Sequence, residues 1–268
     1  MKQCISLGIS LMAIFILPLM LSAQPNSNTM MYGVFQRSSN SFLGKGKLAG
    51  NPMQLTSILS SVLDPTISNI DCAAYIDGTI YTLYANPISY DYTHTYEMHR
   101  FNAFTGETIG TTEQVSPIYV SEAQATDPLT GLSWGRFAGN LAGDRWEIAC
   151  VDYRTMERRA VGQARRTYLC MGMTTAQELY GVGKDGWLYR ISTTDGSDTP
   201  VGELGISNYI DEAGLNYHIT GAINPDDNHF YMTFADLDLN CSVLDIDLTT
   251  GHATTVPRQW HSQCRTDG

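Results

Sequence analysis

The stretch Glu178–Gly202, ELYGVGKDGWLYRISTTDGSDTPVG, decides how this chain is read. Within it, Gly181 to Gly186 spell G-x-G-x-x-G, the spacing with which a dinucleotide-binding domain cradles a pyrophosphate. That chemistry needs a preceding strand and a following helix, because the phosphates rest on the helix N-terminus. Here Gly186 runs straight into WLYRIS, an alternating aromatic and β-branched strand. Lys184-Asp185-Gly186 is then a hairpin turn signal, and the glycines serve backbone geometry. The context argues against a nucleotide, and no cofactor is expected. A second Gly-Lys site, LGKGKL at Leu43–Leu48, lacks the spacing and the Ser/Thr of a phosphate-binding loop.

Working outward, the same order of parts recurs in four regions: Ala73–Gly110, Ala125–Gly162, Met173–Gly202 and Gly221–Val256. A polar turn leads to an aromatic strand centred on Tyr81, Trp134, Tyr180 or Tyr231. A variable loop follows, then a second strand: YEMHRFN, WEIACVD, WLYRIST or SVLDIDL. A turn at Thr105-Gly106, Thr155-Met156, Asp195-Gly196 or Thr250-Gly251 opens a short third strand. The aromatic anchors stand 53, 46 and 51 residues apart (134−81, 180−134, 231−180), the self-similarity of a repeat array. A small antiparallel meander cannot cover both its faces alone, so such units stack around an axis as a β-propeller. A β-sandwich or barrel also has many short strands. Repetition of the order of parts, rather than strand content, favours the propeller.

The third and fourth units, LYGV…GWLYRISTTDGSDTPVG and FY…SVLDIDLTTGHATTV, resemble blades of secreted bacterial propellers of the PQQ-like, YVTN-like and Kelch-like superfamily. The resemblance covers roughly Ala73 to Val256 and implies an all-β propeller of four-stranded antiparallel blades, without implying an activity. The second unit departs from it, with Asp152-Tyr-Arg-Thr-Met-Glu where Thr-Gly is expected. Met30–Asn69 holds a strand-like MMYGVFQ and a poorly patterned remainder, part of a fifth blade at most. The best helical candidate in the chain is Met53–Leu63. The repeats occupy residues 24–258. Residues 259–268 form a polar tail without strand pattern, which leaves the ring incomplete as read.

Residues 1–23 have Lys2, an apolar run and a Leu-Ser-Ala ending, the layout of a secretory signal peptide cleaved after Ala23. The alternative is a membrane anchor, for which the run is short. The expected location is outside the cell, in a periplasm or at the cell surface, with no membrane span after cleavage. A net charge of −11 and a pI near 4.8 argue against nucleic acid, whose phosphates demand a basic face. Cys72, Cys150, Cys170, Cys241 and Cys264 are odd in number and widely spaced, fitting neither a disulfide scaffold nor a zinc site. One or two bridges and buried free thiols both remain open.

No catalytic residue and no metal ligand is expected. Asp236, Asp238 and Asn240 alternate like the start of a calcium loop, but Cys241 and Asp247 stand where glycine and glutamate are needed. His94 and His99 fall on opposite faces of an extended segment; His218 and His229 flank a turn without a third ligand. Ser133-Trp134-Gly135 reads as a buried aromatic strand, not a nucleophile elbow. The loop NPISYDYTHTY, Asn86–Tyr96, is the candidate binding segment. If extended, it puts Tyr90, Tyr92, His94 and Tyr96 on one side, a ladder suited to stacking on a sugar or a protein surface. Packing against an adjoining blade is the plainer alternative. The sequence thus points to a non-enzymatic propeller that presents loops to a protein or glycan. The rival is a glycan-active lyase or hydrolase with its site in the channel, and fold alone does not choose. A structural domain of a larger surface protein is a third reading.

Overall fold

The computed structural model describes residues 30–37, 40–47, 55–57, 70–85, 96–141, 144–205, 219–235 and 241–256. Within them the chain forms antiparallel sheets with no α-helix, only a 3-10 turn at Pro117–Tyr119. The N-terminal sheet is three-stranded: β1 (Met30–Arg37), β2 (Asn40–Lys47) and β3 (Leu55–Ser57). Four four-stranded meanders follow, each in sequence order. Blade 1 is β4 (Ile70–Ile76), β5 (Thr79–Ala85), β6 (Tyr96–Asn102) and β7 (Glu113–Val115). Blade 2 is β8 (Ser121–Thr126), β9 (Ser133–Ala138), β10 (Trp146–Asp152) and β11 (Glu157–Gln163). Blade 3 is β12 (Tyr168–Met173), β13 (Leu179–Gly183), β14 (Trp187–Ile191) and β15 (Asp198–Glu203). Blade 4 is β16 (Thr220–Ile223), β17 (Phe230–Ala235), β18 (Cys241–Ile246) and β19 (Ala253–Thr255).

Neighbouring blades meet through their first strands, β4 on β8, β8 on β12 and β12 on β16, and β1 touches β4. That is the arrangement of a β-propeller. The core lies between blades and not within them. Ala74, Ile76, Tyr81, Leu83 and Met98 of blade 1 pack on Phe137, Ala149, Val151 and Tyr153 of blade 2. Trp134, Ile148 and Cys150 pack on Met171, Leu179, Tyr189 and Ile191 of blade 3. Tyr180, Val182 and Leu188 pack on Phe230, Met232, Leu244 and Ile246 of blade 4. Alternate residues of one strand therefore serve two interfaces, which is why β9 and β13 are buried along their whole length.

The stretch that opens the sequence reading behaves as a hairpin. β13 ends at Gly183, the Gly186 N–H donates to the Gly183 carbonyl at 3.0 Å, and β14 begins at Trp187. Gly186 has φ +79°, while a side chain at Gly181 would strike Tyr168 and Ile191. The first glycine of the motif is there for space and the last for backbone conformation.

The four-stranded blades are as expected, and one expectation needs correction. Within the helical candidate Met53–Leu63, Leu55, Thr56 and Ser57 form strand β3 and pair with Gly46, Lys45 and Gly44, edge pairing overriding a weak helical pattern; the rest of the candidate lies outside the described residues. The three strands read in each repeat are the outer ones. Ahead of them runs an innermost strand, β4, β8, β12 or β16, which lacks aromatic alternation because two blades crowd it. At Gly172 a Cβ would meet Ile223, and at Gly221 it would meet the Cys170 sulfur. Cys150 and Cys170 are free, buried thiols.

Candidate functional site

The meanders give the propeller two unlike ends. At the turn end, six five-residue turns share one design: Asn102–Gly106, Asp127–Gly131, Asp152–Met156, Ser192–Gly196, Asn224–Asn228 and Asp247–Gly251. In each, the fifth N–H donates to the first carbonyl, at 2.7–3.0 Å. The first side chain accepts from N–H groups inside the turn: Asn102 Oδ1 from Phe104 and Thr105, Asp127 Oδ1 from Leu129, Ser192 Oγ from Thr194, Asp247 Oδ1 from Thr249. The fifth residue takes positive φ, from 56° at Asn228 to 78° at Gly251. Met156 does so too, at φ 59°, so the second unit keeps the turn despite lacking its glycine. Each turn answers N–H groups of its own from its first side chain, and some also bond the neighbouring blade, as Asp127 does with Gln177 and Asn228 with Thr175.

At the loop end, the β5–β6, β9–β10, β13–β14 and β17–β18 connections span 10, 7, 3 and 5 residues, from the strand bounds. Of the expected tyrosine ladder, Tyr90, Tyr92 and His94 lie outside the described residues. Tyr96 opens β6 at this end, paired with Ala85 and Val115 and half-buried. His99 sits further along the strand, edge-on to Tyr84 at 4.6 Å, and burial holds its imidazole pKa down against the pull of Glu97. His218 and Asp236 to Asn240 also lie outside the described residues. His229 Nδ1 stands 2.9 Å from both Asp245 oxygens. Burial raises the Asp245 carboxyl pKa, and the histidine bond opposes that rise.

Among the described residues, a polar cluster lies at the seam between blades 2 and 3, running from the loop end to Asp198 beside the β14–β15 turn, on residues the sequence reading did not assign to a site. A bulge near Glu122 in β8 shifts the register between Ser121 and Ala123, and Glu122 forms a close ion pair with Arg136 of β9. Arg136 Cζ lies over Trp146, 4.2 Å from the ring centre, and burial lowers the guanidinium pKa. Its Nε is buried without a hydrogen-bond partner. Across the seam Arg166 lies 4.1 Å over the Tyr189 ring. Its Nε donates to Asp198 at 2.7 Å and its Nη1 to Asp185 at 3.1 Å. The Tyr168 hydroxyl donates to Asp198 at 2.9 Å and the Tyr189 hydroxyl to Asp185 at 2.6 Å. Burial first, then these carboxylates, push the Tyr189 phenol up to about 12 and raise Tyr168 as well. Trp187 shares the Tyr189 side of β14 and is 39% exposed. Among the described residues, no group of three or more His, Cys, Asp and Glu is placed to hold a metal ion.

No family model matches this chain, and no curated protein matches it. Solved structures similar to it include a protein of unknown function from Bacteroides thetaiotaomicron, at 12% identity and TM-score 0.48 over 84% of this chain. The chain spans 60% of that protein's length. A catalytically inactive virginiamycin B lyase from Staphylococcus aureus with quinupristin is similar at 13% identity and TM-score 0.41, over 88% of this chain and 72% of the lyase. A 6-phosphogluconolactonase-like protein from Bacteroides uniformis is similar at 14% identity and TM-score 0.42, over 85% and 67%.

Proposed function

We propose that the protein is an exported, non-enzymatic propeller whose loop end binds a glycan or a protein surface. The observation that carries this reading is the asymmetry of the two ends. Six of the eight turns at the turn end are copies of one design. The loop end carries connections of unequal length together with arginine–aromatic stacks. A rigid scaffold that varies its loops at one end while standardising the other is organised for recognition. In this reading Tyr90, Tyr92 and His94, carried by the β5–β6 connection in the sequence, are the ligand contacts, and Tyr96, which opens β6, stands at their edge.

A glycan-array screen of residues 24–268 beside the Tyr92→Ala and Tyr96→Ala variants tests the reading. Binding that both substitutions weaken supports the proposed ladder; binding indifferent to both removes the ladder from the site. Export is tested by N-terminal sequencing of the secreted product, which should begin at Gln24.

A further inference from the structure

The charge of the chain is unevenly placed. Between Arg136 and Arg190 there are nine Lys and Arg against six Asp and Glu, a balance of +3. The remainder holds 16 − 9 = 7 basic and 27 − 6 = 21 acidic residues, a balance of −14. The cationic segment includes Arg136, Arg165, Arg166 and Lys184, which lie at the loop-end seam of blades 2 and 3.

Two of these arginines are built for recognition and not merely for solubility. Both guanidinium groups sit over an aromatic ring, Trp146 or Tyr189, and carboxylates pair with them from the side. Arg166 spends Nε and Nη1 on Asp198 and Asp185. Its Nη2 makes no hydrogen bond among the described residues, and the side chain is 39% exposed. Arg136 is nine-tenths buried, its one ion pair uses Nη1, and its Nε donor is unanswered. Exposed Lys184 and Arg165 flank Arg166 in the two connections that meet here. Beside them Trp187, whose backbone N–H donates to Asp185 Oδ1 at 3.4 Å, offers an exposed indole.

A fixed guanidinium edge fits a planar carboxylate, and an exposed indole beside it fits the apolar face of a sugar ring. We infer that the seam between blades 2 and 3 is a binding site for a uronate-bearing saccharide, its carboxylate received by Arg166 and its ring by Trp187. The inference rests on the loop-end reading above and narrows it to an acidic glycan. Arg136 and Lys184 add positive potential, and the exposed Asp185 carboxylate accepts hydrogen bonds from ring hydroxyls.

The test is calorimetric titration of residues 24–268 with tetrasaccharides of galacturonate, glucuronate, mannuronate and guluronate and with their neutral counterparts. At least one uronate is expected to bind tenfold or more tightly than its neutral counterpart, and more weakly as salt rises. Arg166→Ala and Trp187→Ala should each weaken that binding at least tenfold, Arg166→Lys should restore only part of it, and Lys184→Glu should weaken it several-fold. Trp187 and Lys184 lie at the rim, so their variants remain folded even if Arg166→Ala does not. Uronate binding that Lys184→Glu and Trp187→Ala leave unchanged overturns the inference. So does a neutral glycan bound as well as its acidic counterpart, a result that leaves the loop-end reading standing. Failure of every saccharide to bind removes the inference and the glycan reading with it.

Discussion

Gly162, near the end of β11, abuts Gly196 in the turn between β14 and β15, backbone against backbone. A Cβ on Gly196 would lie 3.2 Å from the Gly162 Cα, and one on Gly162 would collide with the Asp195 carbonyl. Gly202 repeats the contact one blade later against Thr250 and Gly251. In both outer strands the glycine follows a register shift, between Ile148 and Ala149 opposite β11 and between Leu188 and Tyr189 opposite β15. The joint is a repeated part of the propeller.

Because both sides of the joint are main chain, neither can yield to an added methyl group. Gly162→Ala and Gly202→Ala should each destabilise by about 1–3 kcal/mol. Calorimetric melting measures this; a wild-type Tm in either variant would show that the joint is loose.

Asp127 is buried and ties blade 2 to blade 3. Its Oδ1 accepts from the Leu129 N–H at 2.9 Å, and its Oδ2 accepts from Thr130 at 2.7 Å and from Gln177 of the neighbouring blade at 2.9 Å. Removing the acceptor strands these donors, so Asp127→Ala should cost on the order of 2–3 kcal/mol in urea unfolding. Gln177→Ala, which loses one bond only, should cost less.

Met156 holds φ 59° where equivalent turns have glycine or asparagine. A β-branched side chain is strongly disfavoured in that region, whereas asparagine enters it readily. Met156→Val should therefore lower Tm, and Met156→Asn should be tolerated apart from lost contact with the blade 1–2 core, against which Met156 packs. Equal melting of the two variants would contradict the assignment.

Acid should unfold the turns first. The Arg154 hydrogen bond holds Asp152 below the usual carboxylate range, and bonds from Ser192 and Ser197 hold Asp195 at about 2. At Asp127 and Asp247 burial pulls upward, but hydrogen bonds from their turns prevail and keep both low. A carboxyl with a folded pKa below its unfolded one stabilises above the unfolded value and loses that contribution as pH falls through the folded one. Asp245, raised by burial, has the opposite sign. Melting should change little between about pH 7 and pH 5 and then drop between about pH 4 and pH 2, less steeply in Asp127→Asn.

Blades were legible because their outer strands carry aromatic and β-branched alternation between turns with Asn, Asp and Gly at fixed positions. Tyr81, Trp134, Tyr180 and Tyr231 do mark equivalent places, each on the second strand of its sheet. The innermost strands were not legible, since β8, SEAQAT, alternates small and polar residues. The seam escaped for a different reason. Arg136 and Arg166 stand 30 residues apart (166−136) in segments that read separately as strand and connection. Only the stacking of blade on blade brings them to one edge, and no local spacing encodes it. The signal that was available is the run of basic residues from Arg136 to Arg190 in an acidic chain.

The claim that the loop end is the binding face has built-in reporters. Leu141 (68% exposed) and Trp187 (39%) stand at that end, and Phe104 (62%) and Leu129 (66%) at the turn end. Hydroxyl-radical footprinting with and without the tightest-binding saccharide compares them in one experiment. Protection of Trp187 and Leu141, with Phe104 and Leu129 oxidised as before, is the predicted result. Protection of Phe104 and Leu129 with Trp187 unchanged would contradict it.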